Sequence, residues 1–436
     1  MILDNTIKAN IVNNKLFFNE QNYKKFKHKS GLTIILNVMP DCNSVYATIG
    51  VKYGSVNNSF KSGLDENFTN YPEGIAHFLE HKMFENEDGE DTFQKYAKTG
   101  AMANAYTSFN ETCYLFSCSQ NFKESLEILI NMVTKPYFTN KNVEKEQGII
   151  GQEISMCQDS PYWRCYTGVL RGLYSKVPLF YDIAGTQESI KTITAECLYK
   201  CYNVFYNLNN MVLSIAGDFN IDDVMEVVDK LLIKSEPLSI VNKVYDEPQT
   251  SLKTESTVQL HVKTPLMGIG FKHKPATNLK DNFILSLKYS LLNDLIIGNT
   301  SNGYSYLYYN EFIDKPIFFE VANGPGYLVS ISMIETKYPD IVKNKIFEEI
   351  NRIKKDGINE EDLTLVKKCY YGNYVMGMNS PKVVATNHMN GYLDDLDFRE
   401  WQDILLNVTK KELEELIEQT YNYESSTVFI VEPLSK

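Results

Sequence analysis

Residues 74–85 read GIAHFLEHKMFE, and the five residues HFLEH at 77–81 decide how the rest of the chain is interpreted. On a helix, positions four apart lie one above the other on the same face. His77 and His81 can therefore reach one metal ion. Glu80 borders the same face, where its carboxylate can hold a water bound to that ion. This H-x-x-E-H order is the inverse of the H-E-x-x-H motif of zinc-binding helices.

Two properties of the sequence favour a metal site over a chance coincidence on an ordinary helix. The chain has only six histidines, so two of them four residues apart are unexpected from composition. The residues around HFLEH are apolar, which predicts a buried helix. A buried imidazole needs a hydrogen-bond partner or a metal.

A third ligand is expected, because catalytic zinc usually takes three protein ligands and leaves its fourth position to water. Residues 143–154 read VEKEQGIIGQEI, in which Glu146 and Glu153 are seven residues apart and share one face of a helix. Isoleucines lie on or beside that face, where carboxylates are costly unless they bind something. The alternative to a metal ligand is that these glutamates are solvated surface residues. That interpretation suits the neighbouring Glu144 better than Glu153.

Together these motifs resemble the insulinase-type (M16) metallopeptidases, the inverzincin family, and within it the short bacterial branch that is similar to processing peptidases. The resemblance covers most of the N-terminal half. Besides the two segments above, it includes YGS at 53–55, GAMANAYTS at 100–108 and NMVLSIAGD at 210–218.

The resemblance implies a role for each residue of the site. His77, His81 and Glu153 would bind one Zn²⁺ per chain, Glu80 would be the general base, and Glu146 would steady a ligand histidine. The implied function is a zinc-dependent endopeptidase that cleaves short or unfolded peptides, in precursor processing or peptide clearance. The alternatives are a non-catalytic scaffold of the same family and a peptide-binding subunit with a structural metal, which would need a fourth protein ligand.

The segment Ala103, Asn104, Ala105 and Tyr106 resembles the edge strand along which the family binds an extended peptide. An edge strand offers unpaired backbone N–H and C=O groups, which recognise a peptide without reading much of its sequence. The alternative is an ordinary strand, and the pattern of side chains does not separate the two.

One segment departs from the family pattern. In self-sufficient members, an arginine and a tyrosine of the C-terminal half close over the zinc. Here the corresponding residues 298–309 read GNTSNGYSYLYY, with tyrosines but no arginine. The resemblance then implies the zinc-bearing subunit of a heterodimer, whose paralogous partner supplies the arginine and tyrosine, or a homodimer.

The chain repeats a series of elements at an offset of about 220 residues, the size of a domain. Helical patterns at 122–133 and 142–156 correspond to those at 341–355 and 360–376. In both halves a further helix opening with threonine then leads into an apolar strand.

The repeat predicts an α+β fold of two homologous α/β sandwich domains, each an antiparallel sheet covered by helices, facing each other as a clamshell half. The predicted boundaries are 1–232 for the zinc-bearing domain, 233–255 for a linker and 256–436 for the C-terminal domain. Adding the repeat offset of about 220 to Glu146 and Glu153 gives Val366 and Asn373, so the second domain should lack the metal.

Composition limits the other function classes. The chain of 436 residues is 43% hydrophobic and carries a net charge of −12, which disfavours nucleic-acid partners. It has no apolar run near the ~20 residues that span a bilayer. The first residues show no signal or mitochondrial targeting pattern, and the eight cysteines include no C-x-x-C pair. We therefore expect free thiols, no membrane and a cytoplasmic location.

Overall fold

The computed structural model describes residues 22–63 and 65–434, which form a mixed α/β structure. Its strands are β1 (Tyr23–Lys27), β2 (Thr33–Val38), β3 (Val45–Val51), β4 (Ser59–Ser62), β5 (Thr69–Asn70), β6 (Met102–Thr107), β7 (Thr112–Cys118), β8 (Met211–Gly217), β9 (Ile240–Asn242), β10 (Glu255–Leu260), β11 (Leu266–Lys272), β12 (Phe318–Gly324), β13 (Tyr327–Glu335) and β14 (Ser426–Pro433). Its α-helices are α1 (Ile75–Lys82), α2 (Thr92–Thr99), α3 (Phe122–Thr134), α4 (Asn140–Asp159), α5 (Pro161–Leu173), α6 (Gln187–Ile190), α7 (Ala195–Phe205), α8 (Ile221–Leu231), α9 (Leu279–Ile297), α10 (Asn302–Tyr309), α11 (Pro339–Asp356), α12 (Glu360–Gly377), α13 (Pro381–Leu393), α14 (Trp401–Asn407) and α15 (Lys410–Thr420).

The chain forms two compact units that interleave along the sequence. The first contains the described residues up to Ile150 together with Ile183–Lys243 and Tyr374–Arg399. The second contains Gly151–Asp182, Val244–Asn373 and the described residues from Glu400 onwards. The division passes through the continuous helix α4. Because the units are defined by packing, they do not test a division into consecutive domains, and the boundaries 1–232 and 256–436 stay a prediction. Within the segment expected to be a linker, Ile240–Asn242 form β9.

The first unit contains a six-stranded sheet in the order β1-β2-β8-β3-β7-β6. Strands β2 and β8 pair in parallel, and the other neighbours pair antiparallel. Strand β6 pairs with β7 on one side and forms an edge of the sheet. A smaller three-stranded sheet of β5, β4 and β9 belongs to the same unit.

The second unit contains a five-stranded sheet in the order β10-β14-β11-β13-β12. Here β10 and β14 pair in parallel, and the remaining neighbours pair antiparallel. The same succession of one parallel and three antiparallel pairs occurs in β2-β8-β3-β7-β6 of the first unit. The sheets therefore share a topology, as the internal repeat predicts.

Each of the two larger sheets is covered by a helix from the opposite half of the sequence. Helix α13 packs on β3 and β8 of the first unit, and α5 packs on β11 and β14 of the second. Their starts also correspond at the repeat offset, because Ser160 and Ser380 are the N-caps and a proline follows each. Gly168 of α5 permits close packing, since a Cβ there would lie 2.5 Å from ring carbons of Phe429.

The α+β prediction is confirmed, together with the helices expected at 122–133, 142–156, 341–355 and 360–376. Thr194 and Thr409 are N-caps, as their place before acidic first turns predicts. The facing, clamshell arrangement stays a prediction. Among the described residues, no helix combines the length and apolar character needed to cross a membrane.

Candidate metal centre

Helix α1 carries the HFLEH motif in a buried position. Gly74 caps its start with a left-handed backbone (φ 85°), and a side chain there would overlap the carbonyl oxygen of Ala184. This explains why glycine precedes the motif. Of the eight helical residues, all but His81 are buried. The histidines are therefore placed by packing of the whole helix.

Three side chains converge at this helix. Ligand atoms of His77, His81 and Glu153 all lie within 4.8 Å of one another. The two imidazole rings have centroids 4.6 Å apart, as expected for positions four apart on a helix. Glu153 comes from α4, two turns beyond Glu146. The structure thus brings together the three ligands that the sequence predicted.

Glu146 lies beside the cluster and contacts one of its histidines. Its Oε1 is 3.0 Å from Nδ1 of His81, and its Oε2 is 3.5 Å from the ammonium of Lys82. Burial by itself raises the pKa of Glu146. The hydrogen bond with His81 and the charge of Lys82 outweigh burial, so the pKa lies below its ordinary value of 4.5. The carboxylate is therefore charged and accepts from His81, as expected for a residue that orients a ligand.

Glu80 is held from the neighbouring sheet. The hydroxyl of Thr107, the last residue of β6, donates a hydrogen bond of 2.7 Å to Oε2 of Glu80. Glu80 is only 7% exposed, and in this buried position the hydrogen bond from Thr107 fixes the orientation of its carboxylate. Glu80 directly precedes His81 in the sequence, and both oxygens of its carboxylate belong to this buried side chain.

The predicted substrate residues Ala103–Tyr106 lie on the edge strand β6, directly beside α1. Met102 at its start is 79% exposed. Alternate residues of an antiparallel edge strand direct their backbone N–H and C=O groups away from the sheet. Among the described residues no further strand pairs with the outer side of β6, so a strand edge lies next to the histidine helix.

The tyrosine-rich segment 298–309 belongs to the second unit and comprises the residues just before α10 and α10 itself. Ser301 caps the helix through the backbone N–H of Tyr304. Tyr306, Tyr308 and Tyr309 are 45%, 48% and 82% exposed. This surface has the aromatic side chains that the sequence indicated and no arginine.

Comparison with known proteins identifies the family. The profile described as insulinase, peptidase family M16, matches residues 60–187, and that of the peptidase M16 inactive domain matches residues 192–369. An uncharacterised zinc protease of Bacillus subtilis, YmfH, is 35% identical over 94% of this chain and 96% of its own length. The chain belongs to the insulinase family of peptidases. This confirms the resemblance noted in the sequence. Relatives of this insulinase-family chain include proteins named as zinc proteases.

Solved structures of the insulinase family agree with the fold. An M16-like peptidase from Alicyclobacillus acidocaldarius superimposes with a TM-score of 0.90 at 30% identity, covering 94% of this chain and 98% of that one. A protease from Helicobacter pylori has a TM-score of 0.81 at 19% identity, covering 94% and 99%, and shows the fold alone. A relative named as a mitochondrial-processing peptidase subunit beta, from Arabidopsis thaliana, is 28% identical over 42% of this chain and 35% of its own length.

Two contacts of this insulinase-family site were missed from the sequence. Thr107 ends the predicted substrate strand, but its distance of 27 residues from Glu80 gave no sign of their hydrogen bond. Lys82 directly follows the motif and is completely buried. A lysine on a helix expected to be buried was a usable signal, because a buried ammonium requires acceptors.

Proposed function

We propose that this chain is a zinc-dependent endopeptidase acting on short or unfolded peptides, and that it is the zinc-bearing subunit of a two-subunit enzyme. The convergence of His77, His81 and Glu153 carries the proposal. Membership of a family whose named relatives include zinc proteases supports the reaction class. Peptide processing and peptide clearance are both compatible with this chemistry.

The donor set fits zinc. Two imidazoles and one carboxylate match the His₂Glu set of catalytic zinc sites, which bind three protein ligands and one water or substrate. Glu146 adds the hydrogen bond that ligand histidines usually make with a carboxylate. When bound, zinc would polarise the scissile carbonyl and lower the pKa of its bound water towards ~7.

The chain's own residues would move the proton and hold the peptide. Glu80 would accept a proton from the attacking water and deliver it to the leaving amine. Thr107 keeps the Glu80 carboxylate oriented through Oε2. The free edge of β6 would pair with the peptide backbone through Ala103–Tyr106, so that recognition depends on an extended conformation more than on side chains.

The two-subunit part of the proposal depends on residues 298–309. These residues include tyrosines but no arginine that could contact the scissile carbonyl or stabilise the negative charge that develops on its oxygen. A paralogue that has the arginine and tyrosine and lacks HFLEH would complement this chain. The Arabidopsis relative, named as one subunit of a processing peptidase, supports such an assembly. A homodimer is the alternative assembly.

Glu80→Gln tests the assignment of the base. Zinc content would be measured by elemental analysis, and cleavage by an internally quenched peptide in the presence of the paralogue. We expect one zinc per chain and a loss of about 10²–10⁴-fold in rate, the usual contribution of a general base. Glu144→Gln is the control, because this exposed residue lies on α4 without a predicted role. Near-normal cleavage by Glu80→Gln would remove Glu80 from the role.

The same assay tests the subunit arrangement. The chain alone should cleave slowly, the paralogue alone should not cleave, and the mixture should be at least about tenfold faster, the loss expected when one transition-state contact of roughly 1.4 kcal/mol is missing. Full activity of the lone chain would contradict the two-subunit proposal. Bound zinc without cleavage in any mixture would favour a non-catalytic scaffold.

A further inference from the structure

Lys82 is a charged side chain enclosed by protein immediately after the second motif histidine. Its side chain is 0% exposed. The ammonium lies 2.8 Å from Oε1 of Glu85, 3.2 Å from the carbonyl oxygen of Asn142 and 3.5 Å from Oε2 of Glu146. An ammonium has three donors, and each has an acceptor here. Burying it remains costly, so its position calls for a reason beyond stability.

The contacts of Glu146 supply that reason. One carboxylate oxygen faces His81 and the other faces Lys82, so the group is held from both sides. A carboxylate fixed in this way cannot turn away from the imidazole. With Nδ1 of His81 donating to Glu146, Nε2 keeps its lone pair for a metal.

We propose that Lys82 is a positioning residue for the metal centre. Its contact with Oε2 keeps the Glu146 carboxylate aimed at His81, and thereby sets the orientation of that ligand. The inference rests on the proposed zinc site and deepens it, because it assigns part of the zinc affinity to a residue that does not contact the metal.

A purely structural role is the competing explanation. Lys82 also connects α1 to the start of α4 through the carbonyl of Asn142, which would stabilise the fold without any effect on zinc. The two explanations differ in one respect. A structural lysine would act independently of the charge of Glu146, whereas a positioning lysine would act through it.

The experiment is a double-mutant cycle of Lys82→Met and Glu146→Gln in the full-length chain. Methionine keeps the unbranched apolar stem of lysine and most of its length, without the charge. The zinc dissociation constant would be measured by competition with a chromophoric chelator, and the stability of the metal-free chain by thermal unfolding. Lys145→Met is the matched control, because Lys145 faces the same Glu85 at 3.8 Å but is 70% exposed.

Glu146→Gln should weaken zinc binding about 10–100-fold, the usual effect of losing a partner of a ligand histidine. Lys82→Met alone should weaken it about tenfold, and less than twofold when Glu146→Gln is already present, because coupled positions are not additive. Lys145→Met should have no effect.

Independent, multiplying effects of the two substitutions would overturn the proposal, as would unchanged zinc affinity in Lys82→Met. If Lys82→Met does not fold, folding of the double variant supports the coupling, and failure of both shows a structural role and overturns it. A wild-type chain that binds no zinc would refute the proposed function itself, which is a separate outcome.

Discussion

Replacing Glu247 by glutamine should leave a buried lysine without its counter-ion. In the second unit, Lys272 and Glu247 form an ion pair of 3.0 Å, with side chains 1% and 5% exposed. Glu247 also accepts backbone N–H groups of Ser175, Lys176 and Val177, at 3.1, 2.7 and 2.9 Å. This carboxylate therefore connects the segment after β9, which contains Glu247, to residues 175–177, which follow α5.

The size of the effect follows from these contacts. Removing one partner of a buried ion pair costs about 3–5 kcal/mol, because the other charge stays buried and unpaired. In Glu247→Gln, Lys272 keeps the carbonyl oxygens of Pro248 and Thr250 and the ring of Tyr174, but it loses its carboxylate. The amide –NH₂ of the new glutamine would also face backbone N–H donors. Lys272→Met should cost less, about 1–2 kcal/mol, since Glu247 keeps three donors.

The free energy of unfolding would be measured by urea titration followed by circular dichroism. The double variant should be more stable than the sum of the single losses predicts, by about 2 kcal/mol. Glu236→Gln is the control, because Glu236 pairs with Lys234 at a side chain that is 76% exposed and should change stability by under about 0.5 kcal/mol. A loss below about 1 kcal/mol for Glu247→Gln would refute this reasoning.

The dependence on pH provides a second check on Glu247. Burial raises its pKa, but the bonds from Val177 and Lys176 and the charge of Lys272 outweigh burial and hold the pKa below the ordinary 4.5. A lowered pKa means that the stabilisation is present above 4.5 and is lost as the pH falls through the folded-state value. The difference between wild type and Glu247→Gln should therefore be constant at neutral pH and shrink below about pH 4.5.

Two further substitutions test other parts of the structure. Thr107→Val removes the hydrogen bond to Glu80 and should lower kcat/KM about 10–150-fold, given ~1.5–3 kcal/mol for a hydrogen bond to a charged group. Thr107→Ser should stay within about threefold of wild type, and equal rates for all three would exclude the contact from catalysis. Gly168→Ala should lower the free energy of unfolding by about 1–3 kcal/mol, because the new methyl group overlaps Phe429. Gly148→Ala lies on an open helix face and should leave that free energy unchanged or raise it by up to ~1 kcal/mol. Urea titration measures both, and equal effects would contradict the packing of α5.

Local patterns carried most of what the sequence could predict. HFLEH and the two glutamates seven residues apart are each confined to one helix, where spacing alone determines which side chains share a face. The convergence of His77, His81 and Glu153 could therefore be predicted from the amino-acid sequence. Threonine caps and the repeat offset similarly predicted the helices and the duplicated sheet.

Contacts between distant segments could not be predicted in this way. The bond between Thr107 and Glu80, and the ion pair of Glu247 with Lys272, join elements whose relative position depends on the whole fold. The placement of α5 and α13 on sheets of the opposite sequence half is of the same kind. A repeat predicts that two halves are alike, but it does not reveal which helix covers which sheet.

The second half of the chain shows that this fold does not need a carboxylate at the position of Glu146. Helix α12 follows α11 as α4 follows α3, and Val366 stands at the repeat position of Glu146. Val366 is 3% exposed and belongs to the hydrophobic core of the second unit. A sheet of the same topology is therefore stable with an apolar residue there. The topology does not require the buried carboxylate of Glu146, which the proposed metal centre explains.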